Sequence, residues 1–326
     1  MWDSNNLMDF YEKATISAVW YVGCWKARAS KLTDAPIRWP PAGTEYSDRL
    51  WAPELHALQG RWYIYFAAQH PEKGNKSHRS YVLGGPPEDQ DPHAGPWEFL
   101  GPIKGMDQSQ WAIDGTVFQY EDCFYYVYSG WDLINPRESE QKLYIIRLKD
   151  AVTADSSPVV ISTPEHKWEF SGQAGINEGP QWLAAPDGSW KGLVYSCAGS
   201  WTSKYKMNTL QLVGDDLLDP SAWKKSDKPL LQNRFNGEGP YGPGHGCFLQ
   251  AGNQTLALFH ATDRPNDGNR NRRCRMQKVE WTAEGPDMGE VVGEVSRDIG
   301  KFIARNEESE SHKRKLRDLA HAMTGH

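Results

Sequence analysis

Four polar side chains recur along the sequence, each at the start of a short apolar segment. They are Glu54, Asp114, Glu178 and His245, at successive spacings of 60, 64 and 67 residues. A carboxylate is costly to bury unless something pairs with it, so the recurrence requires an explanation. Two carboxylates in one crevice can divide their roles, because one stays ionised while the other has a raised pKa and donates a proton. That division suits glycoside hydrolysis, which needs a general acid and a base that activates water.

The stretches around these residues form a repeat. Each has an apolar strand, a turn and a second apolar or aromatic strand, with the turns at 59–60, 121–122, 187–188 and 252–253. A third strand candidate follows each pair, and Trp-containing outer segments include "GPWEFLG", "HKWEF" and "SAWKKS". A repeat of about 60 to 67 residues with three or four strands is typical of a propeller blade.

The repeat predicts an all-β, five-bladed β-propeller. Four units run from Trp51 onward, and the segment 16–39 before them has the same strand–strand–Trp character, although this first blade could be incomplete. The innermost strand of each propeller blade lines the central axis, so the four polar side chains are expected to converge there. We expect the propeller domain to span 1–303 and a charged tail, helical or disordered, to span 304–326.

The composition agrees with this fold class and argues against several functions. The 326 residues include 15 Trp, 14 Tyr, 10 Phe, 30 Gly and 21 Pro, and aromatic strands with frequent turns favour an all-β protein. A net charge of −6 gives no reason to expect a nucleic-acid partner. The mean hydropathy is −0.70, and no apolar run approaches the roughly 20 residues that span a bilayer, so no membrane partner is expected. We expect a monomer.

Other catalytic motifs are absent from the sequence. There is no GxSxG, no P-loop and no Rossmann fingerprint. The five cysteines show no CxxC pair and no zinc spacing. His245 is isolated from other histidines, which argues against a zinc site, whereas oxygen ligands near it could hold a structural calcium ion. We therefore expect that the site requires no cofactor.

Five short motifs carry a family resemblance. They are "WAPELH", "WAIDGTVF", "NEGP", "YGPGH" and "RMQ", which occur in this order between about Ala29 and Glu294. With them, the chain resembles glycoside hydrolase family 43, and in particular its α-L-arabinofuranosidase-like members. The resemblance implies a five-bladed propeller and inverting hydrolysis of α-L-arabinofuranosyl linkages in plant polysaccharides or oligosaccharides. β-Xylosidase and arabinanase activities occur on the same scaffold.

The resemblance also implies residue roles. Glu178 in "NEGP" matches the general acid, and Asp114 in "AIDG" matches the residue that orients this acid and tunes its pKa.

Four further residues are expected on the substrate side of the same site. His245 in "YGPGH" matches the family's hub histidine, and Arg275 in "RMQ" matches an arginine that meets the substrate or the carboxylates. Trp51 and Glu54 of "WAPE" are expected to line the cleft, and a structural role suits them equally well.

The N-terminal segment departs from the family pattern. The family's general base lies in an Asp-Pro motif near the N-terminus, and no Asp-Pro occurs in residues 1–34. We expect the base to be Asp3, Asp9 or no residue of this chain. The chain is accordingly expected to be either a truncated or a divergent member of the family. Without a base it would be a catalytically impaired, carbohydrate-binding propeller. Residues 1–21 lack a signal-peptide pattern, which suits the cytoplasm, whereas the resemblance implies an extracellular protein.

Overall fold

The regular structure of this chain is almost entirely β. The computed structural model describes residues 40–291 except 93–94, 235 and 252–253. In this part the chain forms eighteen strands, joined by turns and by short 3-10 helices at Asn75–Ser77, Lys167–Glu169 and Pro220–Ala222. The all-β prediction is therefore confirmed. Within the same residues, no helix is long and apolar enough to cross a membrane.

The strands form four consecutive antiparallel units. The first contains β1 (Asp48–Leu58), β2 (Arg61–Gln69), β3 (Arg79–Pro87) and β4 (Glu98–Pro102). The second contains β5 (Ala112–Tyr120), β6 (Cys123–Gly130) and β7 (Glu140–Asp150), with β8 (Thr153–Ala154) and β9 (Val159–Ser162) both paired to β7. The third contains β10 (Phe170–Ser171), β11 (Ala174–Ala184), β12 (Lys191–Cys197), β13 (Lys206–Leu212) and β14 (Trp223–Lys225). A short parallel pairing of β11 with β7 joins the second and third units in one sheet. The fourth contains β15 (Tyr241–Ala251), β16 (Gln254–Thr262), β17 (Arg273–Thr282) and β18 (Gly285–Asp287).

Each unit matches one copy of the sequence repeat. The predicted turns at 59–60, 121–122 and 187–188 separate the first two long strands of their units, and β15 and β16 flank 252–253 in the same way. The fifth predicted unit, 16–39, and the predicted tail, 304–326, lie outside the described residues. The number of five blades therefore stays a prediction.

The Trp-containing segment "HKWEF" lies against the third unit. Lys167–Glu169 form a 3-10 helix, and β10 pairs with the beginning of β11 in the third unit. The reason is Glu169, which is fully buried and accepts hydrogen bonds from Lys225 at 3.1 Å. A buried carboxylate needs such a partner, and this ion pair draws the segment towards the third unit.

Neighbouring units pack face to face through shared apolar clusters. Tyr65 and Val82 of the first unit pack with Val117 and Tyr126 of the second. A second cluster joins the second unit to the third, and its buried members include Phe118, Val127, Ile145, Leu193 and Tyr195. A third cluster joins the third unit to the fourth, and its buried members include Val194, Met207, Ala257, Phe259 and Val279. The core is thus a series of layers between successive sheets.

The first strand of every unit carries a β-bulge near its beginning. Between Ile113 and Thr116 on β5, two residues face the single residue Tyr128 on β6. The same two-against-one arrangement interrupts the pairing of the first strand in the other three units. The first residue of this bulge has a positive φ in each unit, and these residues are Ala52 (44°), Asp114 (54°), Gly179 (57°) and His245 (47°). β1 and β15 each carry an earlier bulge as well, which begins at Arg49 and at Gly242. A bulge bends the strand and redirects its side chains, which matters for the site described next.

Replacing Leu193 with Ala tests the layered core. Leu193 is completely buried between the second and third units, so L193A should lower the free energy of unfolding by about 2–5 kcal/mol. Chemical denaturation measures this change. The matched control is L133A, because Leu133 is 40% exposed and its loss should cost less than about 0.5 kcal/mol. Equal costs for the two variants would contradict the proposed packing.

Candidate active site

The first strands of the four units meet in the interior of the molecule. The residues directly after the four bulges are Glu54, Thr116, Gln181 and Cys247. The Gln181 amide donates to Glu54 Oε1 at 2.5 Å and lies 3.4 Å from Thr116 Oγ1. The charge of Glu54 also acts on the half-buried residue Cys247, where burial and then this charge raise the pKa of the thiol. Four residues that are distant in sequence therefore lie near one another, and we call this group the hub ring.

A second layer of contacts lies at the bulges themselves. The Gly179 amide hydrogen-bonds the Asp114 carboxylate, and Nδ1 of His245 lies 3.8 Å from Asp114 Oδ2. The imidazole of His245 packs against Gly179, where an added Cβ would lie 3.2 Å from the ring. Since φ of Gly179 is also positive, glycine is the residue that suits this contact.

The structure refines the positions of the four recurring polar side chains. Asp114 and His245 occupy the first position of their bulges, Glu178 lies one residue before its bulge, and Glu54 lies directly after its bulge. The four side chains are therefore gathered in one region but are not equivalent. The first bulge positions are 52, 114, 179 and 245, so their spacings are 62, 65 and 66 residues.

Asp114 and Glu178 form a buried pair of carboxyl groups, 5% and 4% exposed. Burial and then the neighbouring Glu54 raise the pKa of Asp114 to about 7, while the hydrogen bond from Gly179 opposes this rise. Burial and then the charge of Asp114 raise the pKa of Glu178 to about 8. Both carboxyl groups therefore hold a proton to higher pH than free carboxyl groups do, and a negative charge on Asp114 favours the protonated form of Glu178.

Two further contacts act on Glu178. The Tyr205 hydroxyl donates to Glu178 Oε1 at 2.8 Å, and His245 faces the same carboxyl group. Both contacts lower the pKa of Glu178, but burial and Asp114 outweigh them. Near neutral pH, Glu178 can thus donate a proton, while Asp114 can carry the negative charge.

Trp51 is packed into an aromatic cluster. Its ring is 5% exposed and stacks on His78 with centroids 3.7 Å apart. Trp111 and Trp131 stack 4.5 Å apart in the same cluster. These contacts give Trp51 a packing role beside the beginning of β1, and its contact with a substrate stays a prediction.

Arg275 is 1% exposed and belongs to β17. Its Nη2 donates to Oδ1 of Asp263 at 2.5 Å. Asp263 lies directly after β16. The charged partner that the structure gives to Arg275 is thus Asp263, and contact with a substrate stays a prediction.

Tyr205 and Gln181 are site residues that the sequence reasoning missed, and so is Ser196, whose hydroxyl oxygen accepts a hydrogen bond from the main-chain N–H of His245 at 2.7 Å. Gln181 directly follows its bulge as Glu54 follows its own, but the bulges are not visible in the sequence. Tyr205 lies outside the repeated motifs, directly before β13, and no sequence signal marks it.

The general base and the calcium ion are two further expectations from the sequence. Asp3 and Asp9 lie outside the described residues. In the described part of the chain, Glu54 is a third carboxylate near the pair, 3.0 Å from Nε2 of His56. The same part contains no group of three or more His, Cys, Asp or Glu side chains placed to hold a metal ion.

The all-β repeat gathers two buried carboxyl groups with raised pKa values, an arrangement that suits acid–base chemistry. The family model of glycosyl hydrolases family 43 matches residues 23–286. The chain belongs to this family.

Named relatives agree with that assignment. An extracellular exo-α-(1→5)-L-arabinofuranosidase of Streptomyces avermitilis is 32% identical over 261 residues, which are 75% of this chain and 50% of the relative. Alpha-L-arabinofuranosidase 43 of Humicola insolens is 31% identical over 274 residues, or 80% of this chain and 54% of the relative. The chain thus spans about half the length of these curated relatives.

A solved structure is similar over most of the chain. The α-L-arabinofuranosidase of Lactobacillus brevis has a TM-score of 0.68 at 29% sequence identity, and the match covers 78% of this chain and 80% of that one. A thermostable family-43 glycoside hydrolase has a TM-score of 0.61 at 20% identity, which supports the fold.

Replacing Asp114 with Asn tests the coupling of the two carboxyl groups. The charge of Asp114 raises the pKa of Glu178, so D114N should lower that pKa by about one unit or more. Carbon-13 NMR of carboxyl-labelled glutamate measures the shift, and the variant E178Q assigns the resonance. The control is D122N in the exposed turn at the other end of β5, which should leave the titration unchanged. An unchanged titration in D114N would show that the two groups are not coupled.

Proposed function

We propose that this chain is an inverting glycoside hydrolase that removes α-L-arabinofuranosyl units from plant polysaccharides or oligosaccharides. The observation that carries the proposal is the buried Glu178 beside Asp114, with a pKa raised above its usual range. Family membership and relatives with arabinofuranosidase names support the same activity.

The proposed mechanism begins with the acid. Protonated Glu178 donates its proton to the leaving glycosidic oxygen as the bond to the anomeric carbon breaks. Asp114 stays ionised, keeps the proton on Glu178 before the reaction and stabilises positive charge that develops on the sugar ring. The hydrogen bond from Gly179 holds the Asp114 carboxylate in place during this step.

Inversion requires a second carboxylate that activates water on the opposite face of the sugar. From the sequence we propose Asp3 or Asp9 for this role. The hub-ring residue Glu54 is held by Gln181 and lies beside His56, and these contacts favour a supporting role for it. We further propose that the protein acts outside the cell, since the Streptomyces avermitilis relative is named as extracellular.

Replacing Glu178 with Gln tests the acid. E178Q removes the proton donor and should lower kcat by about 10²- to 10⁴-fold on arabino-oligosaccharides. The first product of the wild-type protein should be the β-anomer of L-arabinofuranose, which proton NMR detects before mutarotation. The control is E88Q, because Glu88 is exposed at the surface.

Three outcomes would change the proposal. Unchanged kcat in E178Q would remove Glu178 from the mechanism. Hydrolysis of aryl β-xylosides in place of arabinofuranosides would indicate a xylosidase on the same scaffold. Binding of sugar by calorimetry with no product formed would indicate a carbohydrate-binding propeller.

Separate replacement of Asp3 and Asp9 with Asn tests the base. The variant that loses the base should lose about 10²- to 10⁴-fold in kcat, and the other should keep wild-type kcat. The variant with the lowered kcat should still bind arabino-oligosaccharides with wild-type affinity, which calorimetry measures. Full activity in both variants, and in the double variant, would show that neither residue is the base.

A further inference from the structure

Tyr205 is held rigidly beside the proposed acid. The side chain is 1% exposed, and its ring stacks on His260 with centroids 5.5 Å apart and planes at 5°. Gly244, which pairs with His260, leaves the space that the ring occupies, because a Cβ there would lie 2.1 Å from a ring carbon. The phenol oxygen therefore has little freedom, and it lies 2.8 Å from Glu178 Oε1.

His260 provides a flat and uncharged surface for this ring. It is 3% exposed, and burial lowers its pKa to about 3. Neither ring nitrogen has a hydrogen-bond partner among the described residues. Since a buried polar group without a partner costs stability, His260 is a costly choice for packing alone. As a neutral ring it positions Tyr205 without adding a charge near Glu178.

Polar contacts link the beginning of β15 to Glu178 by way of Tyr205. The main-chain N–H of His245 donates to Ser196 Oγ at 2.7 Å. The Ser196 side chain in turn faces the Tyr205 phenol and lowers its pKa. The Tyr205 hydroxyl donates a hydrogen bond to Glu178 Oε1.

We propose that Tyr205 is a positioning residue for Glu178, because its rigidly held hydroxyl places a donor on Oε1 and leaves Oε2 to carry the proton for the leaving oxygen. The proposal rests on the proposed role of Glu178 as general acid. Tyr205 acts through Glu178 and needs no contact with the substrate. The same polar contacts also link the beginning of β15, at His245, to the acid on β11.

The groups that face Glu178 define the expected pH dependence. Asp114 raises the pKa of Glu178, whereas Tyr205 and His245 lower it. Cys197 also faces this carboxyl group, and burial raises the pKa of its thiol far enough to keep it neutral. Removing the Tyr205 hydroxyl removes a stabilising donor from the carboxylate form. The pKa of Glu178 should therefore rise further, and its acid form should persist to higher pH.

The experiment compares Y205F with the wild-type protein. The basic limb of kcat/KM should move to higher pH by on the order of one unit. At the pH optimum, kcat should fall by about tenfold or more on arabino-oligosaccharides, with KM nearly unchanged, because proton donation loses its alignment. Aryl substrates with strongly acidic leaving groups need less protonation of the leaving oxygen, so their kcat should fall much less in Y205F.

The matched control is Y195F. The Tyr195 hydroxyl donates to the buried Glu169 carboxylate at 2.9 Å, so this variant removes the same group from an equally buried bond outside the site. Y195F should lower the thermal stability and leave the pH profile unchanged. If Y205F does not fold, S196A provides the second test, because it breaks the same series of contacts one step earlier and should shift the limb in the same direction.

A readout independent of activity separates this proposal from the proposed function. Carbon-13 NMR titration of Glu178 should show a higher pKa in Y205F and an unchanged pKa in Y195F. A Glu178 titration that is identical in Y205F and the wild type would overturn the proposal, whether or not the protein hydrolyses arabinosides. The expected rise of the Glu178 pKa in Y205F, in a protein that hydrolyses no arabinoside, would confirm the hydrogen bond. It would also refute the catalytic role of Glu178, on which both proposals rest.

Discussion

The β-bulge at the beginning of each first strand is the constraint on which the site depends. It places two residues opposite one and turns the first of them to a positive φ in all four described units. This conformation is costly for Asp114 and His245, since side chains other than glycine rarely adopt it. The packed sheets on either side maintain it. In return, the bulges bring Asp114, Gly179 and His245 into mutual contact, which an uninterrupted strand pairing would not do.

The burial that raises the pKa of Glu178 also has a cost. Its pKa and that of Asp114 are raised in the folded protein, so the native state holds more protons than the unfolded chain between about pH 4 and pH 8. The contribution of these two groups to stability is therefore largest below pH 4 and is lost as the pH rises through their folded pKa values. Stability is given up at neutral pH to keep a proton where the proposed reaction uses it.

A buried hydrogen-bond network next to Glu178 offsets part of this loss of stability. Glu169 accepts hydrogen bonds from Lys225, from Tyr195 and from the side-chain amide of Asn177, the residue before Glu178. The main-chain oxygen of Asn177 also accepts from Ser129 on β6. Because every member has a partner, the network can be buried without a large penalty, and it fixes the beginning of β11. This network anchors the strand, whereas the direct hydrogen bond to the Glu178 carboxyl group comes from Tyr205.

Much of the architecture could be read from the sequence, because hydrophobic alternation and turn residues are local properties that repeat every 60 to 67 residues. Asp114 and Glu178 could be singled out for the same reason, since each begins an apolar strand. The bulges could not be located in this way, and without them Glu54 and His245 were placed at equivalent positions. Their different places follow from the pairing of strands across each sheet.

By itself, the sequence determined the all-β class, the repeating units and the two carboxyl groups of the site. Only the tertiary structure decided which groups touch those carboxyls. Tyr205 reaches Glu178 across 27 residues and Gln181 reaches Glu54 across 127 residues, while Arg275 pairs with Asp263. Such contacts are made when sheets pack around a common centre, so no local pattern in the chain can specify them. The raised pKa values of Asp114 and Glu178 depend on the same packing, because burial is the largest cause of both shifts.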